Sequence, residues 1–99
     1  MNKGPKLYLI AYDISDNDRL RQVYKIMRGF GDHVQYSVFR CVLSDKRKAE
    51  LVDKLCDAIH HAKDQVLFVP LGAAEVDRAS KWTTMGRPLM HPERCARVV

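Results

Sequence analysis

The chain alternates short apolar runs with stretches of helical periodicity. Leu7 to Tyr12 is an uncharged run that ends at Asp13 and reads as a buried strand. Ser15 or Asp16 can cap the helix that follows. Ser15-x-x-Asp18 is a loose capping box, because Asp is shorter than Glu. Leu20, Val23, Tyr24, Met27 and Phe30 then recur at helical spacing, while Arg19, Arg21, Lys25 and Arg28 lie mostly off that face. Gly29 and Gly31 mark the helix end. His33 to Leu43 is rich in β-formers, with Phe39, Cys41 and Leu43 on one parity and Val34, Tyr36, Val38 and Val42 on the other. It is long for one strand, so two strands with a tight reversal near Gln35 to Ser37 are expected, the alternative being one bent strand.

Ser44 or Asp45 opens a second helix with the apolar face Leu51, Val52, Leu55, Cys56 and Ile59. Asp64 and Gln65 make a turn, and Val66 to Leu71 reads as a strand whose Pro70 suggests an edge or a terminus. Gly72 to Arg78 connects to a short candidate strand, Ala79 to Met85, anchored by Trp82 and broken by Gly86-Arg87-Pro88. Arg94 to Val99 is a candidate last strand. The order β-α-β-β-α-β is the ferredoxin-like plan of the α+β class: a four-stranded antiparallel sheet, two helices on one face, and a C-terminal extension. Residues 1–99 form one domain, with residues 1–6 a flexible lead and residues 72–99 the extension.

Composition narrows the setting. Ninety-nine residues can bury a core without staples, though with a modest margin. The net charge of +5 favours a polyanionic partner, nucleic acid foremost. Three widely spaced cysteines without a C-x-x-C pair fit a reduced compartment better than a disulfide framework. The polar N-terminus is no signal peptide and no apolar run has the length of a membrane span, so a soluble, cytoplasmic protein is expected.

The chemistry concentrates at the end of the first strand. Asp16 and Asp18 suit a helix N-terminus, where carboxylates favour the macrodipole and cap free amides. Asp13 belongs to the strand end, so it is either a structural cap or the centre of a site. As a site residue it would ligate Mg2+ or Mn2+, hard cations that take carboxylate oxygens. One carboxylate holds such an ion poorly; a homodimer with Asp13 near its two-fold axis would supply two. Two such carboxylates repel, so metal affinity should rise with pH. The ion could then activate water towards a phosphodiester. Arg19, Arg21, Arg28 and Arg40 are candidates for phosphate contact, widened by the lysines of the second helix, with a solvated charged face as the alternative. Tyr36 and Phe39 are candidates for stacking on bases, core packing being the alternative. Cys41 and Cys56 are expected in the core. The spacing of His33, His60, His61 and His91 does not make a zinc site, and no EF-hand, P-loop, dinucleotide or Gly-x-Ser-x-Gly motif occurs.

Residues 8–16 (Tyr-Leu-Ile-Ala-Tyr-Asp-Ile-Ser-Asp), 19–23 (Arg-Leu-Arg-Gln-Val) and 34–41 (Val-Gln-Tyr-Ser-Val-Phe-Arg-Cys) together resemble the CRISPR-associated protein two family. The resemblance covers roughly residues 7–86. It implies a ferredoxin-like homodimer whose C-terminal strand lies across the partner subunit. It implies a metal-dependent endonuclease acting on single-stranded RNA or double-stranded DNA, with Asp13 of each subunit sharing one Mg2+. Supporting family positions fall on Tyr12, Arg19 and Phe39, and on Arg21. It also implies a complex with the CRISPR integrase in spacer acquisition, which opens a second reading as a DNA-binding scaffold that bridges integrase subunits. One position departs: residue 40 is Arg where the family commonly has Glu, which weakens an acidic role there and favours nucleic-acid contact.

Overall fold

The structure, a computed structural model, describes residues 4–74 together with Met85 and Gly86. The expected order is present: β1 (Lys6–Asp13), α1 (Asn17–Arg28), β2 (Asp32–Gln35), β3 (Val38–Leu43), α2 (Asp45–Ala58) and β4 (Gln65–Ala73). The strands form one antiparallel sheet in the order β2-β3-β1-β4, so the first strand is central. The candidate strands over residues 79–85 and 94–99, Trp82, and the lead before Gly4 lie outside the described residues, apart from Met85.

Alternation along β1 and β3 divides the sheet into two faces. Tyr8, Ile10 and Tyr12 share one face with Phe39, Cys41 and Leu43, and all six are buried. Ile10 and Phe39 are direct register partners with no exposed surface, and Val23 and Met27 of α1 and Leu51 of α2 join them in the same core. Burial pushes the Cys41 thiol up to about 12, so it remains a protonated, inert packing group. Gly31 lets the chain leaving α1 pass close to β3: a Cβ there would lie 2.5 Å from the Arg40 carbonyl oxygen and overlap Cys41 Sγ.

The second helix buries a narrower face than its sequence suggested. Leu51, Leu55 and Ala58 pack inward, Ile59 is half-buried, and Val52 and Cys56 are exposed. Leu51, Leu55 and Ala58 follow i, i+4, i+7 and make one line; Val52 and Cys56 sit about 100° around the helix from it. Cys56 is therefore a surface residue rather than a core one. β4 is longer than the Val66 to Leu71 run, continuing through Pro70 to Ala73 with a register shift opposite Leu7 and Tyr8. Its outer side has no neighbouring strand among the described residues, which is where a proline without an N–H is tolerated.

The segment 32–43 is two strands joined by Tyr36 and Ser37, with Gln35 opposite Val38. Tyr36 has φ 40°, in the left-handed region. Two-residue hairpin turns ask for that conformation and are normally filled by Asn, Asp or Gly.

Candidate functional site

Asp13 is the last residue of β1, opposite Gln65 of β4, and is exposed. It shares parity with Leu9 and Ala11, so it stands on the sheet face away from the helices. Its carboxylate has no hydrogen-bond or ion-pair partner among the described residues. The helix cap is Asp16, which accepts from Arg19 N at 2.9 Å, and Asp18 pairs with Arg21. Asp13 is therefore not the cap of α1.

The loop that carries Asp13 into α1 is held by a residue 49 positions away. Asp64 accepts five hydrogen bonds: from Ser15 N (3.0 Å), Ser15 Oγ (3.1 Å), Arg19 Nε (2.7 Å), Arg19 Nη2 (3.1 Å) and His60 N (2.8 Å). Its side chain is 0% exposed, and that of Arg19 is 26% exposed. The Arg19 guanidinium, first, and the amide and hydroxyl donors around it hold the Asp64 carboxyl far below the usual carboxylate range. The Arg19 guanidinium is held above its ordinary value chiefly by the same hydrogen bond. Arg19 Nη2 also donates to Ser15 Oγ at 3.1 Å, which closes the network. Nothing local to residue 64 announces this role, since its Ser15 and Arg19 partners are distant in sequence.

Tyr12 faces the helices. It is buried, stacks on Phe39 at 6.2 Å between centroids and hydrogen-bonds with Ser37. Burial raises its hydroxyl above the ordinary tyrosine value, with Tyr24 adding to the rise. Phe39 is fully buried among Tyr12, Tyr24 and His33. It touches no solvent, so any effect on a reaction passes through the rings packed on it; of the two stacking candidates only Tyr36, at 81% exposed, is at the surface.

The candidate phosphate-binding arginines divide in the same way. Arg40 donates to Asp32 Oδ2 at 3.0 Å from the register position directly opposite. Its positive charge thus meets a carboxylate on the neighbouring strand. Arg21 and Arg28 are exposed on α1 with Lys25 between them; the spacing 21, 25, 28 places the three cations in one stripe. Arg21 is paired to Asp18, and Arg28 donates to the Tyr24 hydroxyl at 3.3 Å. In α2, Arg47 lies 4.0 Å over Phe30 and Lys48 5.3 Å over Tyr8, so these cations cover the core edge as well as carrying charge.

No group of three His, Cys, Asp or Glu side chains among the described residues could enclose a metal ion. Asp13 has the hard, unengaged oxygen chemistry that suits Mg2+, yet one carboxylate falls short of a site. Leu9, Ala11, Val38, Val42, Leu67 and Val69 share the helix-free face with Asp13, and Leu67 is 53% exposed.

Comparison with known proteins gives a consistent pattern. A sequence model of the family described as CRISPR associated protein Cas2 matches residues 6–79. The CRISPR-associated endoribonuclease Cas2 1 of Rhodospirillum rubrum is 41% identical over 93% of this chain and 89% of its own length. The CRISPR-associated endoribonuclease Cas2 2 of Thermodesulfovibrio yellowstonii is 47% identical over 65% of this chain and 70% of its own. Among solved structures, Streptococcus pyogenes Cas2 at pH 6.5 superposes with a TM-score of 0.70 at 27% identity, over 81% of this chain and 99% of that one. No helix among the described residues is long and apolar enough to cross a membrane.

Proposed function

The chain belongs to the CRISPR associated protein Cas2 family, and from that we propose that it is a metal-dependent endonuclease of CRISPR adaptation. It works as a homodimer that cleaves phosphodiester bonds of single-stranded RNA or double-stranded DNA, in company with the CRISPR integrase. The observation that carries this reading is the unpartnered Asp13 carboxylate at the rim of an exposed apolar sheet face. Covering that face with a second copy removes apolar surface from water, and a two-fold axis passing near Asp13 would bring the second copy's carboxylate beside it. The endoribonuclease names of the relatives support the hydrolytic part.

In this reading two Asp13 carboxylates hold Mg2+ or Mn2+. The ion, when bound, polarises the phosphodiester and lowers the pKa of a water. Asp64 and Arg19 keep the Ser15 turn rigid, and with it the end of β1 on which Asp13 sits. Tyr12 and Phe39 form the packed floor beneath that strand end. Arg21, Lys25 and Arg28 attract the nucleic-acid backbone.

A second reading rests on that cationic stripe. Its helical spacing spreads three charges over about 10 Å of α1, which suits a duplex backbone whether or not cleavage follows. The protein then bridges integrase subunits as a DNA-binding scaffold. Asp13→Asn separates the two. Nuclease activity of the purified dimer should vanish while duplex affinity is retained; cleavage by the variant would sink the metal-site reading. Spacer acquisition that survives in cells carrying the variant would establish the scaffold as the biological role.

A further inference from the structure

A cleft of about 540 Å³ opens on the helix side of the sheet, between α1 and the β2–β3 turn. Tyr12, Leu20, Tyr24 and Tyr36 line it, with Ser37 beside them, and Arg21 and Lys25 stand at its edge. This volume lies within the range of small-ligand sites, about 300–1,000 Å³. Its wall is almost wholly apolar and aromatic, and its fixed charges are cationic and exposed. Lys25 has no ion-pair partner among the described residues.

Tyr36 is the unusual member. A bulky L-residue at φ 40° is disfavoured, and the hairpin would accept Gly or Asn more easily. The conformation is held by His33 Nε2, which donates to the Tyr36 carbonyl at 2.6 Å. Folding stability alone does not call for a ring here, because Tyr36 is 81% exposed. Strained residues that the surroundings hold in place are characteristic of functional positions. The other walls are rigid: Tyr12 stacks on Phe39, and Tyr24 meets Phe39 edge-on at 5.6 Å beneath Arg28.

We infer that this cleft receives one unstacked base of a single-stranded nucleic acid, with the Tyr36 ring closing over it and its flanking phosphate on Arg21 and Lys25. Aromatic faces accept any base, and rim cations match the phosphate that a base necessarily brings. A base already paired and stacked within a duplex cannot enter without being flipped out. The inference rests on the nucleic-acid reading above and adds to it a site for single strands.

The test uses the purified protein, a single-stranded oligonucleotide carrying 2-aminopurine, and its duplex. Wild-type protein should change 2-aminopurine fluorescence in the single strand through stacking. Tyr36→Gly, which suits φ 40°, should melt no lower than wild type, lose at least roughly fivefold in single-strand affinity and keep its duplex affinity. Tyr36→Trp should retain single-strand binding. If both strand forms bind and Tyr36→Gly matches wild type in affinity and fluorescence, the cleft inference alone is overturned. Absence of binding to either form at low salt overturns the nucleic-acid reading and this inference together.

Discussion

Arg19 Nε donates to Asp64 Oδ2 at 2.7 Å, across 45 residues of sequence, to a carboxylate with no exposed surface. This pair joins the start of α1 to the turn before β4, the two segments that flank Asp13. Because the folded carboxyl is held below its ordinary value of 3.8, the pair's contribution is complete above that pH and is lost as pH falls towards the folded value. Urea unfolding of wild type and Asp64→Asn should therefore show a constant gap above about pH 5 that narrows below about pH 4. A gap that widens on acidification would contradict this account.

The open sheet face is expected to be a dimer interface. Leu67 is more than half exposed on it, directly opposite Ala11. Leu67→Lys should leave the monomer fold intact and convert dimer to monomer in light scattering, with loss of Mg2+ binding by calorimetry. A dimer that persists through this change would place the interface elsewhere.

Arg40 faces Asp32 across the β2–β3 ladder. Arg40→Glu sets two carboxylates opposite one another and should destabilise the protein by about 1 kcal/mol. Adding Asp32→Arg should recover most of that loss, as read by a double-mutant cycle in urea. No recovery would mean that other contacts of Arg40 dominate.

Phe39 has 0% exposure and supports Tyr12, Tyr24 and His33. Phe39→Ala should cost roughly 3–5 kcal/mol through the cavity it leaves, and lower activity in step with the folded fraction followed by circular dichroism. Phe39→Leu should fold and retain most activity per folded molecule. An inactive but fully stable Phe39→Leu would indicate direct contact with substrate.

The order of elements and the two parities of the β3 segment were legible along the chain, while which parity packs inward was decided by the fold. The legible part depends on residues within one turn or one strand of each other, where the apolar period marks the element. A helix cap at Ser15 or Asp16 follows from the same local physics, and the fold gives it to Asp16. The width of the α2 face did not: Val52 and Cys56 continue the apolar pattern, yet α2 meets the sheet along one line only. The tertiary structure alone decided that Asp64 is engaged with Ser15 and Arg19. Asp64 looks like a turn residue until the fold brings Ser15 and Arg19 to it, while Asp13 is marked by the absence of any such partner among the described residues. Likewise Tyr36 and Phe39 are both aromatic candidates in one segment, and the two-residue turn between β2 and β3 exposes one and leaves the other in the core. The Ser15 and Arg19 hydrogen bonds to Asp64 span 45 or more residues, and a local reading of residue types has no access to such separations.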